Sequence, residues 1–202
     1  MLKRIFDIVF SIFGIVFFLP VFLIIGVLIK LDSKGEIIFK QTRVTKDGKE
    51  FKIYKFRTMI KETEGNKQIT VGKDNRITKV GSFLRKTKLD ELPQLFNIIK
   101  GEMSFVGPRP EVPKYVSYYT DEQKEILKVR AGITDYASIY FSNESEILGQ
   151  QNDPEKYYIE EIMPYKIKLN KKYIDNMGII TDIKIIILTI LKIAGVELKE
   201  EE

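Results

Sequence analysis

Apolar residues gather at one end of this chain. From Ile8 to Ile29 no charged residue occurs, a run about as long as the roughly 20 apolar positions a helix needs to cross a bilayer core. Pro20 falls inside it, where a missing N–H and a ring clash with the preceding turn predict a kink. Lys3 and Arg4 precede the run, and Lys30 and Lys34 follow it. Basic residues tend to remain on the cytoplasmic side, which both ends satisfy only if a bent helix enters and leaves through one face. A kinked spanning helix is the alternative, since proline is tolerated in spanning helices. No small-residue cleavage site follows, so the run reads as a retained anchor.

Past the anchor the pattern shortens. Glu36–Phe39 and Glu50–Tyr54 flank the turn-like cluster Lys46-Asp47-Gly48-Lys49, predicting a β-hairpin. A helix is expected to begin in Phe56–Glu64, and the polar stretch Gly65–Asn75 to form a mobile surface loop. Leu92, Leu95, Phe96 and Ile99 fall at helical spacing, with Pro93 in the first turn and Gly101 after the end. They predict a short helix starting around Asp90, with Asp90 at or near its N-cap. Further helices are expected over Asp121–Val129 and Pro154–Tyr173, with loop and short strand over Arg130–Ser142. Near the end, Ile179, Ile180, Ile183, Ile186, Ile187, Ile190 and Leu191 line one helical face. This helix is too short and charged to span; it lies on a membrane surface or packs in the core. The Glu-rich end is expected to fray. The fold class expected is α/β, mostly helical, with a small β-hairpin or sheet.

Composition narrows the chemistry. A chain of 202 residues suits one domain plus an appended element. Without cysteine there are no disulfides, thiol nucleophiles or Cys-ligated metals. Without histidine there is no Ser-His-Asp triad, no H-E-x-x-H zinc site and no imidazole base. Catalysis therefore rests on carboxylates, lysine, tyrosine, arginine or a bound metal, and carboxylates with a hard cation lead. The net charge of +5 suggests an anionic partner: a phospholipid surface, nucleic acid or a phosphorylated substrate.

Asp90-Glu91, in LRKTKLDELPQL, is an acidic pair at an expected helix start. Alone, such a pair is more often a cap. Here Arg85, Lys86 and Lys88 precede it, and Gly107-Pro108-Arg109-Pro110 follows after one short helix. A helix N-terminus, arginines and a carboxylate-held metal together describe a diphosphate site. Pro108 and Pro110 fix the backbone around Arg109, which suits a rigid phosphate contact and equally a turn with a solvated arginine. Lys52, Lys55 and Arg57 alternate with aromatic residues in FKIYKFRTM, the pattern of a solvated strand face. No Walker loop and no G-x-G-x-x-G occur.

These blocks, with RITKVGSFLRKTKLDELPQLFNIIKGEMSFVGPRPEVP and VRAGITDYAS, resemble the bacterial sugar transferase family, the monotopic phosphoglycosyl transferases, over nearly the whole chain. The resemblance implies a re-entrant membrane helix over 1–31 and a catalytic domain over 32–202 on the cytoplasmic face of the bacterial inner membrane. It implies transfer of a phosphosugar from a UDP-sugar to polyprenol phosphate, with release of UMP and no nucleic-acid partner. Asp90 matches the nucleophile that forms an acyl phosphate, and Glu91 the carboxylate that, with Asp90, binds Mg²⁺. Lys55, Arg85 and Arg109 match phosphate-binding positions, with Pro108 beside Arg109, and Gln94 and Arg130 match positions near the same site. Three places depart from the pattern. Leu19-Pro20 stands for Ser-Pro, Thr45 for glycine, and Asp135-Tyr136 for Gly-Trp. Two rivals use the same features: a Mg²⁺-dependent phosphodiesterase that needs no lipid acceptor, and a membrane-tethered binding protein without chemistry.

Overall fold

The computed structural model describes residues 2–60, 72 and 74–197. Most of the expected loop Gly65–Asn75 and the Glu-rich end lie outside them. The apolar run forms two helices, α1 (Leu2–Phe17) and α2 (Leu19–Asp32), bent by 61°. Among the described residues no single helix is long and apolar enough to cross a membrane, but the bent pair passes that test together. The break falls at Phe18, with Pro20 in the first turn of α2, where its absent N–H costs least. The bend thus forms with leucine in the place of serine.

Helix α1 has two faces. Leu2, Ile5, Val9, Phe10, Phe13, Val16 and Phe17 are exposed, while Asp7 and Ser11 are buried. Lys3, Asp7, Ser11 and Gly14 recur at three- and four-residue spacing, a polar and small stripe turned toward the rest of the molecule. Asp7 accepts from Ser104 Oγ (3.0 Å) and the Phe105 N–H (3.2 Å). Lys3 Nζ donates to Val106 O (3.1 Å) and pairs with Asp182 (2.5 Å), which also takes the Tyr173 hydroxyl (2.8 Å). A Cβ on Gly14 would lie 3.2 Å from Leu95, so the small residue lets α1 lie close.

The hairpin extends beyond its expected ends. β1 (Ile38–Val44) pairs antiparallel with β2 (Glu50–Phe56), Ile38 opposite Phe56 and Val44 opposite Glu50. Asp47 (φ 59°) and Gly48 (φ 70°) make the left-handed turn. Thr45 has extended backbone, needs no glycine, and donates its hydroxyl to Glu102 O (2.7 Å). Phe56 ends β2 rather than starting a helix. Residues 58–60 pair instead with 76–78 through the Met59–Ile77 bridge, and residues 61–64 are outside the described set.

Next come α3 (Lys79–Thr87), a 3-10 turn (Leu89–Glu91) and α4 (Gln94–Lys100). β3 (Met103–Val106) then pairs in parallel with β4 (Ala131–Thr134) across a crossover that holds α5 (Pro113–Val116). The helix expected over Asp121–Val129 is a 3-10 helix, Gln123–Lys128. A short α6 (Tyr136–Tyr140) occupies part of the segment expected as loop and strand, because Asp135 caps it (2.6 Å to Ser138 N). After α7 (Glu144–Gly149), α8 (Pro154–Tyr157) runs through a π turn at Tyr158–Ile162 into α9 (Met163–Asp175), covering the third expected helix. The π turn precedes Pro164, which lacks the N–H of a regular turn. The last helix, α10 (Ile179–Ile193), divides its apolar face. Asp182 and Ile185 are buried, whereas Ile180, Ile183, Ile187 and Ile190 are exposed.

The Lys3–Asp182–Tyr173 lock ties α1 to α9, α10 and the end of β3. Asp182→Ala removes the charged partner of Lys3 and one acceptor of Tyr173, leaving both only Val106 O, and is expected to cost about 3 kcal/mol. Thermal unfolding in detergent measures it, and an unchanged midpoint contradicts the lock.

Candidate active site

Two adjacent carboxylates occupy the junction between α3 and α4. Lys88, left-handed at φ 57°, ends α3, and the turn Leu89–Glu91 follows it. Asp90 is therefore not the helix cap that its position suggested. Helix α4 starts only at Gln94, behind Pro93, and no side chain caps it. Asp90 and Glu91 are both buried, 7% and 8% exposed.

Their surroundings differ sharply. Glu91 Oε1 accepts from Lys55 Nζ (2.8 Å) and Arg109 Nη2 (2.5 Å), and Oε2 faces Arg109 Nη1 (3.4 Å). Burial alone pushes the Glu91 carboxyl upward, but Arg109 and Lys55 overcome it and hold it well below the usual range. Glu91 in turn raises the Arg109 guanidinium, while burial lowers Lys55 against the opposing pull of Glu91. Asp90 goes the other way. Burial raises its pKa, partly offset by Lys55, and the Glu91 charge adds to the rise. Among the described residues, Asp90 Oδ1 is buried without a hydrogen-bond partner, as are both amide atoms of Gln94.

Strand alternation separates Lys55 from Lys52, and Arg57 lies past the end of β2. Lys55 shares the inward face of β2 with Phe51 and Ile53. Lys52 reaches Thr42 at the surface (2.6 Å), and Arg57 holds the carbonyls of Ser33 and Lys34 beyond α2 (2.7 and 2.6 Å). Arg85 donates Nε to Thr58 Oγ1 (2.9 Å) and feels the Asp90 charge. Its terminal nitrogens have no hydrogen-bond partner among the described residues. Gly81 permits this approach, since a Cβ there would sit 2.1 Å from Thr58 O.

The arginine loop is fastened on every side. Gly107 N–H donates to Thr134 O (3.1 Å), and Pro108 O accepts from Gly132 N–H (3.0 Å). A Cβ on Gly132 would lie 2.2 Å from Gly107 N, so only glycine allows this contact. Arg109 N–H donates to Asp135 Oδ2 (3.1 Å), and Pro110 O accepts from Arg43 Nη1 (3.1 Å). Arg43 also meets Glu111 (3.3 Å), which takes the Tyr158 hydroxyl. The guanidinium of Arg109 is thus positioned before any ligand arrives.

Asp90, Glu91, Lys55 and Arg109 are brought together, Arg85 and Gln94 adjoin them, and Pro108 shapes the loop. Arg130 is not among them: it is exposed and donates to Gly101 O (2.9 Å) beyond the far end of α4. Three supports went unread in the sequence: Arg43, Glu111 and Asp135. Asp135 stood out only as a departure from the family pattern, and Arg43 and Glu111 carried no local signal.

Glu91→Gln removes the partner of two cations and is expected to destabilise by about 3 kcal/mol at neutral pH. Because the folded pKa of Glu91 is depressed, its contribution is present above the unfolded value and is lost as pH falls through the folded one. The melting gap between native and variant should hold above about pH 5 and close as pH falls below about 4. A gap independent of pH contradicts this.

Comparison with known proteins identifies the family. The family model described as bacterial sugar transferase matches residues 1–195. A UDP-glucose:undecaprenyl-phosphate glucose-1-phosphate transferase of Escherichia coli is 38% identical over 95% of this chain and 40% of its own length. A UDP-N-acetylgalactosamine-undecaprenyl-phosphate N-acetylgalactosaminephosphotransferase of Aeromonas hydrophila is 37% identical over 94% of this chain and 43% of its own. An uncharacterized sugar transferase of Bacillus subtilis, EpsL, is 35% identical over 95% of this chain and 87% of its own length. The chain thus spans about two fifths of the first two relatives. The match over nearly every residue, with the carboxylate pair and the arginine loop inside it, places this chain in the bacterial sugar transferase family.

Proposed function

We propose that this protein transfers a phosphosugar from a UDP-sugar to polyprenol phosphate, with Asp90 as the nucleophile. The contrast between the two carboxylates carries this: Glu91 is saturated by Lys55 and Arg109, whereas Asp90 keeps a buried oxygen with no partner among the described residues. The relatives named for UDP-glucose, UDP-N-acetylgalactosamine and undecaprenyl phosphate support a UDP-hexose donor and a polyprenyl phosphate acceptor.

In the first step an Asp90 oxygen attacks the sugar-bearing phosphorus. An Asp–O–P bond forms, the bridging P–O bond breaks, and UMP leaves. In the second, a phosphate oxygen of the acceptor attacks the same phosphorus and frees Asp90, giving the polyprenyl diphosphosugar. A carboxylate and a phosphate attack as anions, so neither step calls for an imidazole base, in keeping with a chain that has no histidine. Lys55 spends one donor on Glu91 and has two others for phosphate oxygens. Arg85 offers its terminal nitrogens, and Arg109 holds Glu91 and Lys55 in register.

Mg²⁺ commonly takes one or two carboxylates and completes its shell with water and substrate phosphates. Asp90 Oδ1 and Gln94 Oε1, buried and unpartnered, fit that demand as hard oxygen donors. Glu91 would join them only by exchanging Lys55 or Arg109. Bound there, the ion would offset diphosphate charge as UMP departs.

The helix pair is re-entrant and sits in the cytoplasmic leaflet of the bacterial inner membrane. Both of its ends are fastened to the same domain, which supports entry and exit through one face. Arg4 donates to the carbonyls of Ile98 and Ile99 (2.7 and 3.1 Å), and Asp32 accepts from Val80 N–H (3.2 Å).

Nucleotide release from a panel of UDP-sugars, with Mg²⁺ and undecaprenyl phosphate in detergent, tests the reaction. UMP should appear with at least one donor and fall by about a thousandfold or more in Asp90→Asn. Release of UDP instead, or UMP turnover that ignores the lipid acceptor, contradicts it; the latter is a phosphodiesterase.

A further inference from the structure

An apolar groove of about 600 Å³ lies between α2 and the hairpin, bounded on the α4 side by Pro93 and Phe96. Leu23 and Val27, one turn apart on α2, belong to its wall and are 65% and 59% exposed. The groove therefore opens onto the exposed apolar face of α2. Every lining residue except Lys30 and Tyr54 is apolar or glycine. Cations gather at these two: Lys30 Nζ rests on Gly35 O (2.9 Å), while Lys100 and Lys40 stand 4.5 and 5.9 Å from the Tyr54 ring centroid.

We propose that this groove holds the phosphate-proximal isoprenoid units of the lipid acceptor. The inference rests on the acceptor proposed above and assigns its tail a place. A polyprenyl phosphate must bring its phosphate to Asp90 while its tail stays in hydrocarbon, and each methylene left in water costs about 0.8 kcal/mol. It needs an apolar path from a lipid-facing helix to the carboxylates. The groove supplies one, since its lining runs from the exposed side of α2 to Pro93, which lies in the same turn-to-helix junction as Asp90 and Glu91. The exposed apolar faces of α1 and α10 are not part of the groove's lining.

Two measurements on the full chain in detergent test this. Val27→Trp fills the groove from its open side, and Val16→Trp puts the same bulk on the exposed face of α1. Val27→Trp should raise KM for undecaprenyl phosphate about tenfold and leave KM for the UDP-sugar within about twofold, whereas Val16→Trp should move neither. In the native protein, a polyprenyl phosphate with a photoreactive group in its first isoprenoid units should label residues 22–31 or 93–96. Undecaprenyl phosphate should suppress that labelling, and phosphatidylglycerol should not. An unmoved acceptor KM, equal rises in both constants, labelling confined to α1 or α10, or equal suppression by phosphatidylglycerol overturns the assignment. If no UDP-sugar is turned over, the proposed reaction fails, and the labelling still decides what the groove binds.

Discussion

The candidate site depends on one buried ionic contact, the Glu91 carboxylate held between Arg109 and Lys55. Burying three charges is costly, and it is tolerated here because each has a partner at hydrogen-bond distance. That contact joins elements distant in sequence: Lys55 from β2, Glu91 from the turn before α4, and Arg109 from the loop after β3. It also sets the state of its neighbour. Burial raises the Asp90 pKa, the Glu91 charge adds to the rise, and Asp90 Oδ1 has no hydrogen-bond partner among the described residues. Two carboxylates, adjacent in the chain, thereby stand in different surroundings: one is saturated by cations and the other is not.

The rest of the fold keeps that contact in register. Asn97, fully buried on α4, accepts from Tyr54 N–H (3.0 Å) and donates to Lys52 O (2.8 Å), so the strand bearing Lys55 is clipped to the helix that follows Glu91. Gly107 and Gly132 bring the β3 and β4 backbones close enough to aim the arginine loop, and Asp135 and Arg43 hold it from either side. Helix α1 reaches the same loop from below. Lys3 and Tyr173 both donate to Val106 O, the carbonyl just before Gly107. The apolar helix pair is thus built into the scaffold of the candidate site, with its outer apolar face exposed.

Much of this was legible in the chain. The β-hairpin follows from two short apolar runs around Lys46-Asp47-Gly48-Lys49, and the bend from Pro20. Asp90, Glu91, Lys55 and Arg109 converge as the family pattern implies, because strand alternation and one short helix carry them there. Other features were hidden for physical reasons. Asp90 reads as a cap in the sequence because Pro93 and the apolar spacing mark a helix start without showing that a 3-10 turn comes first. Arg130 follows a conspicuous block, yet its direction is set by Gly101 O at the other end of α4. Asp7 and Asp182 each sit beside apolar runs and resemble surface charges until α1 and α10 are seen to meet at β3. Partners so far apart in sequence leave no local signature.

Direct capture of the phosphosugar on the protein tests the division of labour between the two carboxylates most closely. The detergent-solubilised native chain is incubated with a competent UDP-sugar and Mg²⁺ but no lipid, quenched, and read by intact mass and peptide mapping. The expected result is a phosphosugar adduct on Asp90, matched in amount by UMP and discharged when polyprenyl phosphate is added. Formation of lipid product with no adduct at any stage, or an adduct on Glu91, would contradict it.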